Sequence, residues 1–185
     1  MSDDDRHESH EQHLAQLYER MLEQLRTRFA EAEDRVPRLR EALEQVKQRM
    51  IALGEATSED AEHVGKALRR DLEEAGSWLA DSRHELPLRD WLRMDLQMLE
   101  SWIWDAFASV ADRTRLELEG FTTTGEPSLY HTGELAGPGQ LSCIACGRLV
   151  TLHRAGPIPP CPGCTHTDFV RAGHASGDTD EGERS

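Results

Sequence analysis

The chain has 185 residues, of which 37% are hydrophobic, only 5% aromatic and 30% charged, with a formal net charge of −14. Such a composition suits one or two domains built on narrow apolar stripes and excludes a thick mixed α/β core. No stretch approaches the ~20 apolar residues of a membrane span, and the acidic opening Met1-Ser2-Asp3-Asp4-Asp5 lacks the basic and apolar regions of a secretion signal, so a cytoplasmic protein is expected.

Residues 1–9 are polar and are expected to be disordered. Leu14, Leu17, Tyr18, Met21, Leu25 and Phe29 then recur at helical spacing, which predicts a first helix over about 10–34. Pro37 opens a new segment, because proline is tolerated only in the first turn of a helix. Val36, Leu39, Leu43, Val46, Met50 and Leu53 alternate gaps of three and four, a short coiled-coil-like seam that Gly54 is placed to stop. Thr57 or Ser58 can cap a third helix, whose stripe is Val64, Leu68, Leu72, Ala75 and Leu79 and which should stop near Ser82. A fourth is expected from about Leu88 to Glu119, with Trp91, Leu92, Leu99, Trp102, Ile103, Phe107 and Val110 on one face. Trp104 falls outside that stripe and is a candidate contact for a partner or second subunit. A helix with one narrow apolar face is not stable alone. Residues 10–119 are therefore expected to form an antiparallel helical bundle of about four helices, with homo-oligomerisation through the seam as a second possibility.

After Gly120 the texture changes. Residues 120–129 read as a linker, 130–171 as a small β unit, and 172–185 as a disordered acidic tail. Charge follows the same division. Residues 1–119 hold 28 acids against 17 Lys and Arg, residues 120–171 hold three of each, and the tail holds four acids and Arg184. An acidic chain repels phosphate backbones, so nucleic acid is an unlikely partner.

All four cysteines fall in the β unit, as Cys143-Ile144-Ala145-Cys146 and Cys161-Pro162-Gly163-Cys164. A two-residue gap lets one tight turn present two thiolates to the same ion, and the residues between the pairs suffice for a hairpin that brings the turns together. Leu149–Leu152 supply one strand, and Pro157, Pro159 and Pro160 rigidify the return. The pattern predicts one tetrahedral structural Zn²⁺ held by Cys143, Cys146, Cys161 and Cys164 in a zinc ribbon of short β-hairpins. Iron in the same four-sulfur geometry is the weaker alternative. A closed four-thiolate site has no position for substrate, so it folds the chain without catalysing. The Cys-Pro-Gly-Cys run lacks the helix N-terminus that thiol–disulfide chemistry needs. His166 could replace a displaced cysteine; His131 and His153 are expected at the surface or beside the site. The helices carry no Glu-x-x-His on a buried stripe, and no phosphate loop or nucleophile elbow occurs. The mainly α protein is therefore expected to have no catalytic or cofactor-binding residues beyond the metal ligands, and to be a scaffold or adaptor for a protein partner. A nucleic-acid-associated regulator using Arg148, His153, Arg154 and Arg171 is the second reading, and an enzyme the third. Because the ribbon has little core of its own, it is expected to depend on its metal and to fold separately from the helices.

The two cysteine pairs, together with Tyr130-His131-Thr132-Gly133-Glu134, Gly137, Gly139 and the helical stretch Ala67-Leu68-Arg69-Arg70-Asp71-Leu72-Glu73-Glu74, resemble the bacterial YbeL-like proteins. The resemblance covers about residues 14–171. It implies a zinc ribbon with the four cysteines as ligands and a cytoplasmic location, and brings no activity with it. The segment from Tyr130 to Glu134 is expected to dock the ribbon, with Tyr130 packing inward.

Overall fold

The computed structural model describes residues 3–31, 38–80, 109–110 and 128–172. Three helices come first: α1 (Asp3–Ala30), α2 (Leu39–Ala52) and α3 (Ser58–Ala80). The predicted stripes become their inner faces, with Leu17, Tyr18, Met21, Leu25, Phe29, Val46, Met50, Val64, Leu68 and Leu72 all buried. α1 begins at Asp3 and so takes in most of the polar opening segment. The stop after α2 is as expected: Gly54 takes φ +69°, and the Glu55 amide reaches back to the Met50 carbonyl at 3.0 Å. Thr57 caps α3, its hydroxyl accepting from the Asp60 amide at 3.1 Å.

Cross-helix pairs give the directions. Arg28 meets Gln45 and Arg20 meets Glu55, so α1 and α2 run antiparallel. His10 lies 3.7 Å from Asp60 and Tyr18 reaches Asp71 at 2.9 Å, so α1 and α3 run parallel. The arrangement is up-down-up. The fourth helix expected over 88–119, including Trp91, Trp102 and Trp104, lies outside the described residues apart from Ser109 and Val110; Val110 is buried in the helical core.

The C-terminal part holds six short strands: β1 (Tyr130–His131), β2 (Leu135–Ala136), β3 (Gly139–Cys143), β4 (Leu149–Leu152), β5 (Gly156–Pro157) and β6 (Asp168–Arg171). Four form an antiparallel sheet in the order β1-β6-β3-β4, and β2 pairs with β5. The sheet has a small core of Tyr130, Ala136, Leu141, Cys143, Val150, Ile158, Cys161 and Phe169. It is not independent of the helices. β2 lies against α3 and β5 against α1. Leu135 and Ala155 belong to the helical core instead of the ribbon's. The ribbon shares burial with the helices because it has too few apolar residues to cover both of its own sides.

Candidate metal centre

The two cysteine turns are built alike. In the first, the Cys143 amide donates to the Arg148 carbonyl at 3.0 Å and the Gly147 amide to the Cys143 carbonyl at 2.8 Å. In the second, the Cys161 amide donates to the His166 carbonyl at 3.0 Å and the Thr165 amide to the Cys161 carbonyl at 2.9 Å. The residue after each pair must turn left-handed. Gly147 does so at φ +69°, and Thr165 at φ +61°. Glycine reaches that region freely, whereas a β-branched residue is strained there.

These turns bring all four sulfurs within 4.8 Å of one another. Cys143 and Cys164 stand 3.7 Å apart, Cys146 and Cys161 3.6 Å, and Cys164 and Cys146 3.4 Å. A tetrahedron with metal–sulfur arms of ~2.3 Å has edges of ~3.8 Å. The donor set therefore fits one zinc ion, which Cys143, Cys146, Cys161 and Cys164 would hold. The Gly163 amide, 3.5 Å from the Cys161 sulfur, is the largest influence pulling that thiol down to about 6. The His166 amide pulls Cys164 the same way, but the crowded sulfurs, Cys146 foremost, outweigh it and push Cys164 up to about 12. A bound zinc ion would offset that crowding, because its charge favours the thiolate form of all four sulfurs. Arg148 lies over the second turn, so close that a Cβ on Gly163 would meet its Nε at 2.7 Å, and its charge offsets part of the net −2 of a zinc–tetrathiolate centre. His166 faces Asp168 at 3.4 Å, and His131 faces Glu134 at 3.4 Å. Neither belongs to the sulfur cluster.

At the other end of the sheet lies an arrangement that the sequence reading missed. β6 leads from beside the metal centre, where Phe169 stands opposite Cys143, to Arg171, whose side chain is fully buried. Asp71 of α3 is fully buried as well, and Glu74 nearly so. The Tyr18 hydroxyl donates to Asp71 Oδ2 at 2.9 Å and the Gly137 amide to the same oxygen at 2.6 Å. The other oxygen, Oδ1, receives the Tyr130 hydroxyl at 2.9 Å and lies 3.4 Å from Arg171. Arg171 also donates to the carbonyls of Pro138 at 3.1 Å and Gly137 at 3.3 Å. One helix carboxylate thus gathers α1, β1, the β2–β3 turn and β6. Outside this node, Arg70 donates to Glu134 at 2.6 Å and to the Leu135 carbonyl at 2.8 Å, with its guanidinium 4.0 Å over the Tyr130 ring. The expected inward packing of Tyr130 is therefore seen, with the reason for it.

Glu74 shares the Tyr130 hydroxyl with Asp71. The Tyr130 oxygen lies 2.9 Å from Asp71 Oδ1, 2.6 Å from Glu74 Oε2 and 3.3 Å from Arg171 Nε. Tyrosine has one hydroxyl hydrogen. That hydrogen serves one carboxylate at a time, so Asp71 and Glu74 compete for the Tyr130 hydroxyl. Burial pushes Glu74 up to about 7, against opposing pulls from Tyr130 and Arg171. Burial also raises both tyrosines well above their ordinary value, so they stay neutral.

The signal that could have found this node is an acid on an apolar stripe. Val64, Leu68, Asp71 and Ala75 follow the four-three-four spacing of a buried seam, and Asp71 occupies a position where a hydrophobe belongs.

A family model described as a zinc-ribbon containing domain matches residues 27–173. Similar proteins include those named "Uncharacterized protein YbeL" from Escherichia coli strains K12 and O157:H7. Each is 30% identical over 159 residues, covering 85% of this chain and 95% of the relative. No solved structure matches.

Proposed function

Because the chain belongs to the family of zinc-ribbon containing domains, we propose that it is a non-enzymatic cytoplasmic adaptor: the helices support a metal-rigidified ribbon that presents a binding surface to a protein partner. The observation that carries this reading is how the reactive groups are used. All four thiolates are consumed by a closed centre. The carboxylate of Glu74, with its raised pKa, is nearly fully buried against the ribbon's Tyr130. A surface groove along Gln16, Glu19, Arg20, Glu23 and Arg26 of α1 has neither a nucleophile nor a histidine among its described lining residues. No helix among the described residues is long and apolar enough to cross a membrane.

The test is affinity capture from the native host by the zinc-loaded chain and by Cys143→Ser. The proposal expects a stoichiometric protein partner that is lost with the metal. A second reading, a nucleic-acid-associated regulator, draws on the exposed Arg148, His153 and Arg154. Sub-micromolar binding to duplex DNA with a steep salt dependence would favour it over the adaptor.

A further inference from the structure

β4 is the last strand of its sheet, and among the described residues no strand pairs with its outer side. The register shows which groups face that side. The Cys143 amide bonds to the Arg148 carbonyl, and Leu141 stands opposite Val150. Hydrogen-bonded residues alternate along an antiparallel pair. Val150 and Leu152 therefore turn their backbone groups toward β3, and Leu149 and Thr151 turn theirs outward. Both are exposed, Leu149 at 44%.

The flanks differ in chemistry. At the start of the strand, Leu149 is an exposed aliphatic side chain. At its end, His153 and Arg154 are exposed and form no ion pair among the described residues. These cations stand out on a chain whose net charge is −14. We infer that the outer edge of β4 is a docking strand for an extended segment of another protein. That segment is aliphatic where it meets Leu149 and acidic where it meets His153 and Arg154. Main-chain bonds to Leu149 and Thr151 supply the affinity and the two flanks set the polarity, as in β-strand addition.

Charge argues against a second copy in this place. Two β4 edges paired antiparallel about Thr151 would set Arg148 of one copy against Arg154 of the other, and like charges across an edge oppose pairing. Base stacking is also disfavoured, because Tyr130 and Phe169, the aromatics among the described ribbon residues, are fully buried.

The inference rests on the adaptor reading and names its surface. Its test is fluorescence titration of the full zinc-loaded chain with three eight-residue peptides. The first alternates valine and threonine and ends in two aspartates. The second ends in two lysines instead, and the third is the first with alternate amides N-methylated. The account expects saturable binding of the first peptide, on the order of 100 μM. Lysine ends, N-methylation or Arg154→Glu should each weaken it at least about tenfold. Equal binding of all three peptides, or none of any, overturns the assignment and leaves the cations as guards against edge pairing. Tighter binding of single-stranded oligothymidylate than of the first peptide overturns it in favour of nucleic acid. A stoichiometric partner captured equally by wild type and Arg154→Glu would keep the adaptor reading and reject this surface.

Discussion

At the tip of the ribbon, four cysteines approach within 4.8 Å of one another while Cys146 and Cys164 remain exposed. At its base, Asp71 and Arg171 are fully buried and meet at 3.4 Å with two tyrosines around them. Both ends solve the same shortage, since the sheet has too little apolar surface to hold itself. The tip uses a metal, whose binding free energy is folding free energy. The base uses the helices, with the buried charges of Asp71 and Arg171 tolerable because they face each other and are further hydrogen-bonded. β6 joins the two, with Phe169 beside Cys143 at one end and Arg171 against Asp71 at the other.

The comparison breaks most directly at Asp71. Asp71→Ala leaves Arg171 buried without its carboxylate and orphans the Tyr18 hydroxyl and Gly137 amide. It should cost about 3–5 kcal/mol, read by thermal or urea unfolding, while zinc stoichiometry in the folded fraction stays at one. Concurrent loss of zinc from the folded fraction would mean that the tip also needs the base.

Next in size is a pH effect confined to the base. Glu74 rises from 4.5 to about 7 on folding. A carboxyl with a raised folded pKa holds its proton more tightly in the folded state, so its contribution is fully present below pH 4.5 and is lost as pH rises through 7. The loss amounts to about 3 kcal/mol across that window. Glu74→Gln mimics the protonated form and should flatten the fall in stability between pH 5 and 8. A fall as steep as the wild type's would show that Glu74 does not titrate there.

Gly137 sharpens the picture of the base. A Cβ there would collide with the Tyr18 hydroxyl and come 3.0 Å from Asp71 Oδ2. Gly137→Ala should cost about 1–3 kcal/mol, and Tyr18→Phe should relieve part of that cost, which a double-mutant cycle detects.

The smallest effects lie at the tip. A Cβ on Gly147 meets nothing within 4 Å, so Gly147→Ala is opposed only by its φ of +69°. Thr165→Gly removes the matching strain from the second turn. The two should change zinc-loaded stability by about 1 kcal/mol in opposite directions, a loss at Gly147 and a gain at Thr165.

The tip was legible in the sequence because metal ligation is local. Two residues between cysteines dictate a turn, and four sulfurs dictate tetrahedral coordination. The helices α1, α2 and α3 were legible because one apolar stripe implies one buried face. The base was not, because its meaning is spread over Tyr18, Asp71, Glu74, Tyr130, Gly137 and Arg171, which only tertiary packing brings together. Asp71 and Glu74 read as two more acids on an acidic helix, and Arg171 as a candidate surface cation. Nothing in local spacing says that an arginine at the end of one strand will meet an aspartate in a helix far earlier in the chain.

Zinc at the tip should steady the helices through the base. Amide hydrogen exchange across α3, measured on the zinc-loaded chain and after chelation, tests it most directly. The account predicts that chelation exposes residues 130–171 and also lowers protection in α3 around Arg70–Glu74, with the tip exchanging first. Loss of protection confined to 130–171, with α3 unchanged, would contradict it and show the ribbon to be an independent unit.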